Sequence, residues 1–188
     1  MIALSANYVG SAILIYDTDG NHLGSTLVTS HDKMSMRIEV QDVPPALSVG
    51  NECALLILTS PAPCEYQGRL IVEGPKKIIA MYRGRVRENR GAVRYKVNTP
   101  AVIENLIFDG KPYRLHTPFN VKLMNISQSG VRFRAQSYAL SDGDRFQMRL
   151  KISGSEKLLI ADTIHHIDLD GATAEYGCQF LIGSESVV

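Results

Sequence analysis

Asp144-Arg-Phe-Gln-Met-Arg-Leu-Lys-Ile-Ser153 decides the fold class. Phe146, Met148, Leu150 and Ile152 alternate with Arg145, Gln147, Arg149 and Lys151. A period of two puts the apolar set on one face of a β-strand and the polar set on the other. A helix of the same residues would scatter its apolar side chains around the axis. No segment of the chain carries a sustained helical stripe, although a single helical turn fits Ser137–Leu140. The same texture extends outward in both directions.

Toward the C-terminus, 157–169 and 173–181 read as strands around Asp170-Gly171. Toward the N-terminus, 130–135, 113–125 and 94–104 read as strands, with Pro118 and Pro100 at kinks or edges. Further upstream come 76–82 and 66–73 around Gly74-Pro75, then 52–59, whose Ala-Leu-Leu-Ile-Leu run predicts burial on both faces. Segments 34–40, 22–29 and 11–16 complete the set. Asp-Gly, which accepts the positive backbone angles of tight hairpin turns, recurs at Asp19-Gly20, Asp109-Gly110, Asp142-Gly143 and Asp170-Gly171. This punctuation predicts an all-β chain of antiparallel hairpins. At 188 residues the chain suits two small β-barrels, since closure removes exposed sheet edges. The expected divisions are a barrel over 1–82, a linker over 83–94 and a second barrel over 95–188.

Twenty Lys and Arg against 19 Asp and Glu give a net charge of +1, so general attraction to nucleic acid or membrane is not indicated. No apolar run reaches the length of a membrane span, and residues 1–10 lack the features of a secretory signal. A cytoplasmic protein is expected, recruited to a membrane complex only through a partner. Cys53, Cys64 and Cys178 form no CxxC pair, which supports neither a disulfide framework nor a zinc site.

The local concentration of charge is more informative. Residues 83–96 hold six cations, Arg83, Arg85, Arg87, Arg90, Arg94 and Lys96, opposed only by Glu88. A charge run by itself often marks a solvated linker. Arginine, however, presents a planar donor fork suited to phosphate oxygens and to the O6/N7 edge of guanine. Arg90 and Arg94 stand four apart, where a loop enters a strand. A second candidate half-site is Asn125-Ile-Ser-Gln-Ser-Gly130, a polar turn between two strands. Asn125 and Ser127 offer short hydrogen-bonding groups, Ile126 turns to the core, and Gly130 permits a positive backbone angle or close approach.

Catalysis finds no support. HExxH, GxxxxGK[ST] and GxGxxG are missing, as is a nucleophile elbow with partners. His165 and His166 are adjacent on a strand and face opposite ways, so they form no shared metal site. Asp168 and Asp170 fit turn chemistry.

The order Arg90-x-x-x-Arg94, then Asn125-x-Ser127-x-x-Gly130, resembles the PilZ domain family, which carries RxxxR and [D/N]xSxxG on a six-stranded β-barrel. Tyr176-Gly-Cys-Gln-Phe180 is similar to that family's closing strand. The resemblance spans about residues 85–183. It implies binding of cyclic di-GMP as a ligand, with no cofactor. Arg90 and Arg94 would hold phosphates and guanine edges, Asn125 and Ser127 would hydrogen-bond the ligand, and Gly130 would shape the turn. Arg85, Arg87 and Arg132 are further candidates for phosphate contacts. The β-rich first half, with Leu47-x-x-Gly50 ahead of Ala54–Leu58, resembles the N-terminal domain of YcgR-like flagellar brake proteins. The expectation is a non-enzymatic cyclic di-GMP receptor. Ligand orders the Arg-rich linker and reorients the barrels, and the output is contact with a protein partner such as a flagellar motor or exopolysaccharide component. A PilZ module that binds a protein and no nucleotide is the alternative, as is a small nucleic-acid-binding barrel.

Overall fold

The computed structural model describes residues 7–82 and 93–181. Twelve strands and no helix are found among them: β1 (Ala12–Tyr16), β2 (His22–Asp32), β3 (Arg37–Val40), β4 (Glu52–Ile57), β5 (Cys64–Glu73), β6 (Lys76–Tyr82), β7 (Tyr95–Phe108), β8 (Lys111–Ile126), β9 (Gly130–Gln136), β10 (Arg145–Ile152), β11 (Ser155–Asp168) and β12 (Thr173–Phe180). The all-β expectation is met. Two closed antiparallel barrels result, ordered β1-β2-β3-β6-β5-β4 and β10-β11-β12-β9-β8-β7, and each forms the centre of one compact unit.

In the first barrel, Ile13, Ile15, Val28, Ile38, Leu55, Ile57 and Ile79 pack into one core. Residues 53–57 of β4 and all of β1 are buried on both faces, as their unbroken apolar runs require. The alternation at 34–36 does not make a strand. Asp32 takes these residues into a turn instead, its carboxylate accepting from the amides of Met34 and Ser35 and from the Ser35 hydroxyl at 3.0, 3.3 and 2.6 Å. Met34 is left 98% exposed.

In the second barrel, the alternating faces of β10 point as the sequence requires, with Phe146, Met148 and Leu150 fully buried. Phe146 meets Phe133 edge to face at 5.8 Å, and Phe133 stacks on Tyr176 at 5.4 Å. Burying each such side chain stabilises the barrel by about 1.5–3 kcal/mol. The Tyr176 hydroxyl donates to the Gln136 carbonyl at 2.9 Å and accepts from the Ala139 amide at 3.1 Å. That contact organises 137–140 as a turn, with Tyr138 at φ 65°, where a helical turn was expected. Asp109-Gly110 makes a two-residue hairpin turn: both residues have positive φ, 50° and 73°, and Phe108 pairs directly with Lys111. Asp142-Gly143 is not a hairpin turn, because β9 and β10 are not neighbours in the barrel.

Candidate functional site

A cleft of about 310 Å³ opens on the second barrel, where the β8–β9 turn meets β11 and β12. Its floor follows one row of the sheet. Asn125 on β8 pairs with Arg132 on β9, Arg132 with Gly177 on β12, and Gly177 with His165 on β11. Arg94, exposed just before β7, closes one side.

Two β-bulges aim the side chains of this row. The β8–β9 ladder slips between Leu123 and Asn125. In a regular strand Asn125 would share the core face with Leu123. The extra residue turns Asn125 outward to the cleft, while Leu123 and Ile126 are both buried in the core. The β11–β12 ladder slips between Thr163 and His165. There Thr163 is core, whereas Ile164 and His165 both line the cleft. Bulges commonly re-aim side chains in this way beside functional sites.

The turn between β8 and β9 is held from within. Ser127 is buried, 4% exposed. Its hydroxyl accepts from the amides of Ser129 and Gly130 at 3.3 and 3.1 Å and lies 3.2 Å from the Gly130 carbonyl. The Ser127 amide donates to the same carbonyl at 2.9 Å. The hydroxyl expected to meet a ligand thus serves the loop first, as Ser side chains do in tight turns.

Gly130 needs its bare Cα for close approach, with no positive φ. A Cβ there would stand 2.3 Å from the Cys178 carbonyl oxygen. The packing lets the Phe180 amide donate to the Ser129 carbonyl at 2.9 Å, which locks the turn against β12. Gly177 is bare for another reason. The His165 imidazole lies across it, with three ring atoms within 3.0 Å of where a Cβ would be.

No carboxylate lines the cleft among the described residues. Arg132 contacts Glu175 at 3.4 Å, but that carboxylate is shared with Arg134, which holds it at 2.7 and 2.9 Å. The Arg94 and Arg132 guanidiniums and the carboxamides of Asn125 and Gln179 therefore line the opening, together with the apolar and aromatic side chains of Ile164 and His165. This pairing suits a ligand with an anionic part and a planar part.

Of the expected site residues, Arg94, Asn125, Ser127, Gly130 and Arg132 come together here. Arg85, Arg87 and Arg90 lie outside the described residues. Ile164, His165 and Gly177 were not anticipated. The one signal for them was Gly177, a glycine inside an alternating strand, which points to a bulge or close approach. His165 and His166 do lie in different surroundings, as expected: His166 stacks on Tyr176 and meets Asp142 at 2.8 Å. Among the described residues no group of acidic, His or Cys side chains could hold a metal ion, and no helix is long and apolar enough to cross a membrane.

The fold defines a class: a two-barrel β protein with a cleft on its second barrel. The chain belongs to the PilZ domain family, whose model matches residues 87–187. No curated protein sequence matches it significantly. Several solved structures are similar in part. Bacillus subtilis inhibitor of motility (MotI/DgrA) is 10% identical, with a TM-score of 0.39, over 95% of this chain and 90% of that one. Escherichia coli YcgR, solved in complex with c-di-GMP, is 13% identical, with a TM-score of 0.37, over 92% and 76%. The Borreliella burgdorferi PlzA protein, also in complex with c-di-GMP, is 10% identical, with a TM-score of 0.34, over 92% and 80%.

Proposed function

We propose that the chain is a receptor for cyclic di-GMP, which binds in the cleft between the β8–β9 turn and β11. The observation that carries this reading is the acid-free cleft that gathers Arg94, Asn125 and Arg132 on a barrel of the PilZ family. Arg94 and Arg132 meet phosphate oxygens, and the Asn125 carboxamide meets a guanine edge. Ser127 and Gly130 hold the turn that presents them. Arg90 completes the arginine pair from the linker side, with Arg85 and Arg87 as further phosphate contacts.

Binding an anion among several arginines relieves their mutual repulsion. The linker 83–94 is thereby ordered against the second barrel, and the two barrels are reoriented. Such a shift is driven only by the ligand's differential affinity for the two arrangements. The output is contact with a protein partner in motility, exopolysaccharide or biofilm control, from the cytoplasm and without catalysis.

Calorimetric titration of cyclic di-GMP into the full chain tests the site. Arg94→Ala and Asn125→Ala each weaken binding by about tenfold or more, the loss expected for a charge-assisted or bidentate contact. Unchanged affinity in both variants would move the site elsewhere.

A further inference from the structure

Two departures from a regular strand meet at one pair of residues. The β11–β12 ladder slips just before His165, and His165 pairs across it with Gly177. A bulge interrupts ladder hydrogen bonds, and a glycine inside a strand weakens it. Their joint result is the posture of the His165 ring.

Cε1, Nε2 and Nδ1 of His165 stand 2.3, 2.7 and 3.0 Å from the point a Gly177 Cβ would occupy. Distances so alike put that point over the face of the ring, since an approach along the ring plane would leave both nitrogens well behind Cε1. One face of the imidazole therefore rests on β12. The opposite face is turned toward the cleft, which His165 lines as an exposed residue.

That open face has no occupant within the chain. The adjacent His166 is committed, with Tyr176 stacked on its ring and Asp142 2.8 Å from its Nδ1. Among the described residues no ring, acceptor or carboxylate engages His165 in the same way. A ring lying flat also directs its nitrogens along the sheet, so the cleft receives a π-face and not a hydrogen-bonding edge. Around it, Ile164 on β11 is 53% exposed, and Arg132 stands on the next strand as the partner of Gly177. A planar group laid on the imidazole thus has an apolar neighbour on one side and a donor fork on the other.

We propose that His165 is the stacking platform for one guanine of the ligand, and that Gly177 is bare so that the platform can lie flat. The inference rests on the reading that cyclic di-GMP occupies this cleft. Stacking on an aromatic ring tolerates any base, because every base has a π-face. His165 therefore requires that a planar base be present, while edge contacts from Asn125 and the arginines choose guanine.

The test is calorimetric titration of cyclic di-GMP into the full chain and four variants. His165→Ala weakens binding about tenfold. His165→Phe keeps a planar face without ring nitrogens and stays within about threefold of the parent. His165→Leu fills similar space without a planar face and is as weak as His165→Ala. Gly177→Ala displaces the ring and weakens binding likewise. In a proton NMR spectrum of the parent, the His165 ring resonances, assigned by their loss in His165→Ala, move upfield when a base stacks above them. Unchanged affinity in His165→Ala beside a weakened Arg94→Ala overturns the platform and leaves the receptor reading standing. Absence of binding by the parent overturns both. Full rescue by His165→Leu would reduce the residue to apolar filling. Loss in His165→Phe with a downfield shift of the parent's ring resonances would mark a hydrogen-bonding role. Either result overturns the proposal.

Discussion

Gly130→Ala and Gly177→Ala are the same chemical change on two glycines that line the cleft, yet the first should cost much more stability than the second. At Gly130 the new Cβ meets the Cys178 carbonyl oxygen at 2.3 Å, then the carbonyl carbon at 3.4 Å and the Gln179 Cα at 3.5 Å. All three are backbone atoms and cannot swing aside. Real Cβ atoms stay beyond 3.0 Å, so β9 and β12 must part by roughly 0.7 Å, the difference between 3.0 and 2.3 Å. Forced overpacking of this kind costs about 1–3 kcal/mol. Separation also strains the bond from the Phe180 amide to the Ser129 carbonyl, worth about 1 kcal/mol. A loss of about 2–4 kcal/mol corresponds to a fall in Tm of roughly 10–25 °C for a barrel of this size. At Gly177 the nearest atoms are the ring of His165, an exposed side chain that can rotate away. That substitution costs less than about 1 kcal/mol, while it moves the imidazole out of the cleft row. Thermal unfolding, with amide exchange of β9 and β12 to localise the effect, measures both. The reasoning is refuted if Gly177→Ala is as destabilising as Gly130→Ala, or if Gly130→Ala lies within 1 kcal/mol of the parent.

Other outcomes follow from buried polar groups. Both ring nitrogens of His31 are buried without a hydrogen-bond partner beneath the stacked ring of Tyr8, and burial lowers its pKa from 6.5. The unfolded chain therefore binds the proton more readily. The first barrel should lose stability as pH falls from 6.5 toward the lower folded value, and His31→Phe should flatten that part of a denaturation-against-pH curve. Tyr176→Phe removes the hydroxyl that joins Gln136 to Ala139, so it should cost about 1–2 kcal/mol by chemical denaturation without disturbing the Phe133 stack. Burial pushes the Cys53 thiol up to about 11 and the Cys178 thiol up to about 12, whereas Cys64 is half-buried. A thiol-reactive probe at pH 8 should label Cys64 first and reach the other two only on unfolding.

The strands were legible because alternation and turn residues are local signals. β6 begins and ends where its pattern does, and Asp109-Gly110 marks the β7–β8 hairpin. Local signals fail where another strand decides the outcome. Counting by twos from Leu123 would bury Asn125, and only the register against Arg132 turns it outward. The same counting hid Ile164 and His165, whose shared exposure depends on a slip against Gly177. Gly130 was legible as a position of need, but its reason, the carbonyl of Cys178 on a strand nearly fifty residues away, was not. Met34–Met36 alternates like a strand, yet Asp32 captures its amides. Asp142-Gly143 has the composition of a hairpin, but barrel closure places its flanking strands apart.

The central claim is that the row from Asn125 to His165, with Arg94 beside it, receives cyclic di-GMP. Its most direct measurement is the calorimetric titration of the full chain with that nucleotide, run beside Arg94→Ala. The account predicts micromolar or tighter binding by the parent chain, about −8 kcal/mol or better, and at least about a tenfold loss in the variant. Absence of binding by the parent at about 100 μM ligand, or equal binding by both proteins, would contradict it.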